Sequence, residues 1–391
     1  MKKVIYLDNA ATTKVRPEVV EAMLPFYTEY YGNPSAVYEF STPCKEALAK
    51  ARETVANSLG AKDNEIYFTN GGSESDNWAL IATAEAYASK GKHIITTKIE
   101  HHAILHTCEY LEKRGYEITY LPVDEYGTVS IDELKKAIRP DTILISVMFA
   151  NNEIGTIQPI KEIGEIAHEN GIIFHTDAVQ AYCHEPINVD EYHIDMLSAS
   201  GHKFHGPKGV GFLYIRKGLK LRSFIHGGAQ ERKRRAGTEN VPGIVGLGKA
   251  VEIAMAELEN NKKKETELRH SDYNCRSCKE TWFWYRQAFT RVCCHQDARS
   301  QGGHRSPGRE VRRFQLHRNM GQQALCHHIR FDRSPRLPWF GIGKAHQEPD
   351  LYARPTAMAS CQDFLFDFRF GCHEDEHPVG LSSSYFRRPD R

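Results

Sequence analysis

"SASGHKFHGPKGVGFLYIRKG" (residues 198–218) places Lys203 directly after a histidine, between Gly201 and Gly206 and just ahead of the β-rich run VGFLYI. A surface lysine is satisfied by water and tolerates almost any neighbours, whereas a lysine that does chemistry needs a fixed backbone and a confined pocket. Working outward, that run is one of seven short β-rich stretches: residues 65–69, 93–97, 117–121, 142–149, 171–176, 195–200 and 210–215. Several are continuously apolar, which is how strands covered on both faces read. Helical patterns lie between them. Residues 41–61 offer Ser41 and Thr42 as caps, Pro43 in the first turn, Leu48, Val55 and Leu59 on one face and Gly60 as a stop. Residues 130–138 begin with a capping box, Ser130 and Glu133. Repeated strand–helix alternation predicts an α/β fold: a mostly parallel sheet wrapped by helices, with ligand groups gathered beyond the carboxyl ends of the strands.

The chain has 391 residues, more than one core usually supports, so two domains, or one large and one smaller, are expected. Lysine plus arginine total 51 against 50 aspartate plus glutamate, which gives no electrostatic case for nucleic acid or an anionic membrane. The apolar runs are strand-sized and the start lacks a signal-peptide core, so a cytoplasmic protein is expected, its ten cysteines present as thiols. Composition changes abruptly near residue 270. Through Arg269 there are 22 lysines and 10 arginines; after it there are 2 and 17, together with seven of the ten cysteines.

Three polar clusters follow predicted strands. In FTNGGSESDN (68–77), Gly71, Gly72 and Ser73 precede a helix; free amides, a hydroxyl and the positive helix end make an anion site, although glycine–serine turns also cap helices with no ligand. In HTDAVQ (175–180), Asp177 ends an apolar strand and Gln180 follows three residues later. A carboxylate buried there needs a partner such as a protonated ring nitrogen; the alternative is a cap for the next helix. In the opening stretch, Ser200 and His202 can donate hydrogen bonds and Lys203 can form an imine with an aldehyde. Pyridoxal phosphate calls for this inventory of lysine, acid and anion site.

YLDNAATT (6–13), TNGGSESDN (69–77), EHHAIL (100–105), NNEIGTIQP (151–159), HTDAVQ (175–180), SGHKFHGPKGVG (200–211) and GGAQERKRRAGTENVPGIVG (227–246) together closely resemble the cysteine desulfurases of the class V aminotransferase group. The resemblance covers about residues 4–268. It implies the pyridoxal-phosphate fold type I: a large domain with a seven-stranded, mostly parallel sheet, a smaller domain built from both chain ends, and a homodimer with active sites at the interface. By position, residues 1–15 would belong to the small domain, 16–250 to the large one and 251–391 to the small-domain region, aberrant from about 270. Lys203 would hold the cofactor as an imine, Asp177 would pair with its pyridine nitrogen, Gln180 would bond its phenolic oxygen, and His101 would stack on the ring and move protons. Ser73, Ser200 and His202 would bind the phosphate, with Thr238 reaching it from the other subunit, and Asn152 would orient the substrate. The basic run ERKRRAG (231–237) would belong to the dimer interface rather than to a solvated surface, and Cys183 would pack as a small apolar side chain.

The implied reaction takes sulfur from L-cysteine, leaves L-alanine and passes a persulfide to a sulfur acceptor or scaffold protein of iron–sulfur or thio-cofactor assembly. The family's nucleophilic cysteine loop and its Ser-Ile/Leu-Arg-Phe-Ser segment have no match in the last third. The alternatives are a related lyase or aminotransferase, or a catalytically dead cofactor-binding protein. Little sulfur release is expected unless a tail cysteine such as Cys326 or Cys361 substitutes. The pair CRSC and CCH (275–278, 293–295) is a poor zinc match, and no metal is expected. The lysine-to-arginine exchange reads as one coding sequence continued in another frame, and residues 364–370 can encode the missing arginine segment two nucleotides later.

Overall fold

The computed structural model describes residue 6 and residues 8–273. Seven strands form one sheet: β1 (Ile66–Thr69), β2 (His93–Thr97), β3 (Glu117–Leu121), β4 (Thr142–Ser146), β5 (Ile173–Asp177), β6 (Met196–Ser200) and β7 (Gly211–Ile215). Their order is β1-β7-β6-β5-β4-β2-β3, and β7 alone runs antiparallel to its neighbours. Every predicted strand is present. The run after β4 leaves regular geometry at Ser146, yet Val147 and Phe149 still donate their amides to the carbonyls of His175 and Asp177.

The helices are α1 (Pro17–Met23), α2 (Pro25–Thr28), α3 (Thr42–Leu59), α4 (Gly72–Tyr87), α5 (His102–Glu112), α6 (Ile131–Ala137), α7 (Ile160–Glu169), α8 (Gln230–Lys233) and α9 (Val241–Tyr273). Strand side chains alternate between two apolar layers, as a period of two demands. Ile95, Ile145, Phe174, Leu197 and Phe212 face the layer of α3, α7 and α9. Their sequence neighbours Ile94, Leu144, Ile173, Met196 and Leu213 face Trp78, Leu80, Ile104 and Leu111 of α4 and α5. Helices on both faces leave only the strand ends open to a ligand.

Local signals are met in part. Gly60 ends α3 in the left-handed conformation, φ 68°, which removes the steric cost a side chain would carry. Ser41 does not cap α3; its hydroxyl donates to the carbonyls of Ala36 and Tyr38 because the preceding turn already folds back on it. Ser130 caps α6 by accepting from the Glu133 amide at 3.3 Å, but the Glu133 carboxylate turns outward to Lys136, leaving the box half made. α9 continues without a break through residue 250 and packs on α1 and α3. Among the described residues, no helix is long and apolar enough to cross a membrane.

Candidate active site

The carboxyl ends of β1, β5 and β6 converge where β7 begins. Gly211 lies opposite both Thr69 of β1 and Ser200 of β6. A Cβ there would come within 2.4 Å of the Ala199 carbonyl and 2.7 Å of the Gly71 Cα, so glycine is what allows the turn before α4 to close against β6. Gly71 itself has φ 139°, and a Cβ on it would meet the Ser200 hydroxyl at 3.4 Å. Ser200 is buried and Ser73, in the first turn of α4, is exposed. The Ser200 hydroxyl therefore lies against the turn that opens α4, and Ser73 stands in the first turn of that helix, at its positive end.

Lys203 ends the 3-10 turn Gly201–Lys203, directly after β6. Its Nζ donates to the Ala10 carbonyl, which also accepts from Gln180 Nε2 at 3.0 Å. The segment around residues 10–13 is laced into this turn: Thr13 donates its amide and hydroxyl to the His202 carbonyl, and Thr12 Oγ1 meets His202 Nδ1 at 3.1 Å. Burial lowers the Lys203 pKa, with Asp177, Asp8 and Glu153 opposing. That favours the neutral, nucleophilic amine. Burial and the charges of Lys203 and Lys208 push His202 down to about 4, so its ring is neutral at pH 7.

Asp177, the last residue of β5, is 5% exposed; its Oδ1 accepts from the Val179 amide at 2.9 Å. No helix follows β5, so the capping alternative is not met: Asp177 holds only the turn after its strand, as a buried carboxylate electrostatically linked to Lys203. Burial pushes it up to about 6, and the Val179 amide and the Lys203 charge pull it back. His101 is the N-cap of α5, with Nδ1 accepting from the Ala103 amide at 3.1 Å. Desolvation, and after it the electrostatic influence of His102, Lys203 and His106, lowers its pKa. The proton of the neutral ring consequently sits on Nε2. A cleft of about 430 Å³ between α4 and α5 has Ser73 and His101 in its wall, within the range of small-molecule sites.

Asn152 donates to Glu153, whose charge acts on Lys203. The adjacent Asn151 fixes this turn, donating to the Ile99 carbonyl and accepting from the amides of Glu153 and Ile154. Thr238 is exposed on the loop between α8 and α9. That loop is held to the first turn of α4 by the Arg235–Glu74 ion pair, 2.7 Å long and largely buried. Cys44, Cys108 and Cys183 are all buried thiols, and burial raises the pKa of each. Cys326 and Cys361 lie outside the described residues.

Sequence reading missed Asp76, Glu100 and His175, although each stands within or beside a quoted motif. Glu100 Oε1 accepts from Thr97 Oγ1 at 2.7 Å and the Met148 amide at 2.9 Å, while Oε2 is buried with no hydrogen-bond partner. Burial pushes Glu100 up to about 8 and pushes His175 down to about 3. Opposite pH limbs follow. Glu100 favours its neutral form in the folded state, so its contribution is complete below its ordinary value of 4.5 and lost as pH rises towards 8. His175 contributes fully above 6.5, and that contribution is lost as pH falls towards 3. A tenfold change in a protonation constant is worth about 1.4 kcal/mol. Urea unfolding of Glu100→Gln from pH 5 to 9 is expected to show the alkaline limb flattened by a few kcal/mol, with the acid limb intact; an unchanged alkaline limb would show that Glu100 is ionised throughout.

A lysine and a buried carboxylate at adjacent strand ends, beside an anion cradle on a doubly covered sheet, define a pyridoxal-phosphate-type α/β enzyme of fold type I. The chain belongs to the class-V aminotransferase family, whose model matches residues 5–277 and whose members depend on pyridoxal phosphate. It is 67% identical over 267 residues to the cysteine desulfurase IscS of Methanosarcina thermophila, a match covering 68% of this chain and 66% of that protein. The chain thus matches about two thirds of the length of that curated relative. Among solved structures, a NifS-like protein is 46% identical with TM-score 0.67, covering 69% of this chain and 74% of its own. A structure described as SspA in complex with cysteine is also 46% identical, with TM-score 0.63 over 64% of this chain and 72% of its own.

Proposed function

We propose that this chain is a pyridoxal-phosphate-dependent cysteine desulfurase that converts L-cysteine to L-alanine and yields persulfide sulfur for iron–sulfur or thio-cofactor assembly. The observation that carries the reading is the placement of Lys203 and Asp177 at the ends of neighbouring strands, β6 and β5, with the charge of each acting on the other. The donor set fits the cofactor: an amine whose charged form is disfavoured, a buried acid, and hydroxyls at the first turn of a helix. When bound, pyridoxal phosphate supplies an aldehyde for covalent capture of an amino group and an electron sink next to Cα. Lys203 Nζ would be the attachment point, in place of its bond to the Ala10 carbonyl. Asp177 would hold its charge toward a protonated ring nitrogen, and Gln180 Nε2 would be a donor for the ring hydroxyl. Ser73, Ser200 and His202 would bind the phosphate. His101 offers Nε2 for proton movement because Nδ1 is already engaged by Ala103.

A cytoplasmic homodimer, with Thr238 completing the partner's phosphate site and Asn152 orienting the substrate, is part of this reading. The three described cysteines are too buried to accept sulfur, and the family's nucleophilic loop has no match in this sequence, so sulfur transfer requires one of the seven cysteines beyond residue 273 to substitute. The change of reading frame proposed near residue 270 bears on those same residues, and sequencing the coding DNA decides it. Incubation of purified protein with L-cysteine and a thiol reductant tests the desulfurase reading: alanine and sulfide in equal amounts are expected where a tail cysteine takes the nucleophile's place, and little release of either where none does. Keto-acid formation would replace this reading with an aminotransferase, and bound cofactor without turnover would make the chain a binder only.

A further inference from the structure

Behind Asp177 lies a second carboxyl that the mechanism does not use. Asp76, on α4, is 1% exposed, and its Oδ1 has no hydrogen-bond partner. The groups facing it are His175 and Asp177 from β5, Ser198 from β6 and Glu100 from the segment after β2. His175 Nε2 stands 3.8 Å from Asp76 Oδ1, beyond hydrogen-bonding distance. The imidazole is already spanned by two serines, Ser146 at Nδ1 (2.9 Å) and Ser198 at Nε2 (3.0 Å). Asp76 therefore has no cation to pair with. Asp76 is left with the Ser198 hydroxyl, which His175 also engages, whereas Asp177 accepts a backbone amide and shares its field with Lys203.

Two carboxyls in one dry site do not both ionise when a single cation is offered, and the charge goes to the one that is solvated by donors. We infer that Asp76 is a positioning residue, held as the neutral acid, that keeps Asp177 as the sole ionised carboxyl of the pair facing the cofactor. Burial and the Asp177 charge both act in this direction. A neutral acid here preserves packing against the His175–Ser198 pair without adding a second negative charge that would bind the site's cation in competition with Asp177.

The inference rests on the proposed cofactor role of Asp177, but its test does not need turnover. Infrared spectra of the purified protein at pH 7 are expected to show a protonated-carboxyl carbonyl band that shifts in D₂O. Asp76→Asn should remove one component, Glu100→Gln a second, and Asp76→Asn should leave the pH titration of the cofactor's visible absorbance within about 0.3 of the wild-type midpoint. Should the asparagine variant not fold, Asp76→Ser must lose the same component. A wild-type spectrum without the band, or an unchanged band with a titration midpoint displaced by about 1 or more in Asp76→Asn, would mean an ionised Asp76 and overturn the inference. If no cofactor binds at all, the band still reads Asp76, while the failure falls on the proposed function.

Discussion

Lys203→Ala is expected to give a folded protein with no cofactor-linked visible absorbance and turnover of L-cysteine lowered by about 10²–10⁴-fold or more. The side chain makes one hydrogen bond, to the Ala10 carbonyl, and its removal leaves intact the backbone bonds that hold the turn: Thr13 to His202, and Gly206 to Gly201. Stability should therefore change little. The chemistry should change greatly, because Lys203 is the amine whose free form burial favours and which stands beside the acid of β5. Visible spectroscopy of the purified variant, with added methylamine as a test of partial rescue, measures this. A coloured variant whose cofactor is reducible onto the protein by borohydride would place the attachment on another lysine.

Asp177→Asn should separate binding from activation. The amide oxygen can still accept from Val179, so the turn after β5 keeps its geometry, but the negative charge is gone. Loss of one preorganised electrostatic partner costs about 10²–10³-fold in rate. The cofactor should stay attached through Lys203 with its colour retained, while kcat for L-cysteine falls by that factor. Equal loss of colour and rate would instead mean that Asp177 serves mainly to hold the cofactor. Because burial sets Asp177 at about 6 in the free protein, its hold on a ring cation should weaken as pH falls through that value.

The fold was legible because its signals are local. Each strand is a short apolar run whose residues alternate between two helical layers, as Ile94 and Ile95 or Leu144 and Ile145 show, and such runs can be read without knowing their partners. Gly60 was legible for the same reason, since a helix stop depends on its own φ. Ser41 was not, because its hydroxyl was diverted to Ala36 and Tyr38 by a turn that the cap pattern does not encode.

The motif residues Lys203, Asp177, Gln180, Ser200, His202, Ser73 and His101 were visible as chemistry-bearing side chains after strands, and the order of those strands in the sheet is what joins them. The sequence alone determined the α/β class, the seven strands and the family. Only the tertiary structure decided that the Ala10 carbonyl bridges Lys203 and Gln180, that Glu231 and Glu74 anchor the loop of Thr238 through Arg52 and Arg235, and that Asp76, Glu100 and His175 form a buried layer behind Asp177. The reason is physical: protonation and pairing depend on burial and on groups more than a hundred residues away in the chain, as Asp76 and Asp177 are, and residue type or spacing does not report desolvation.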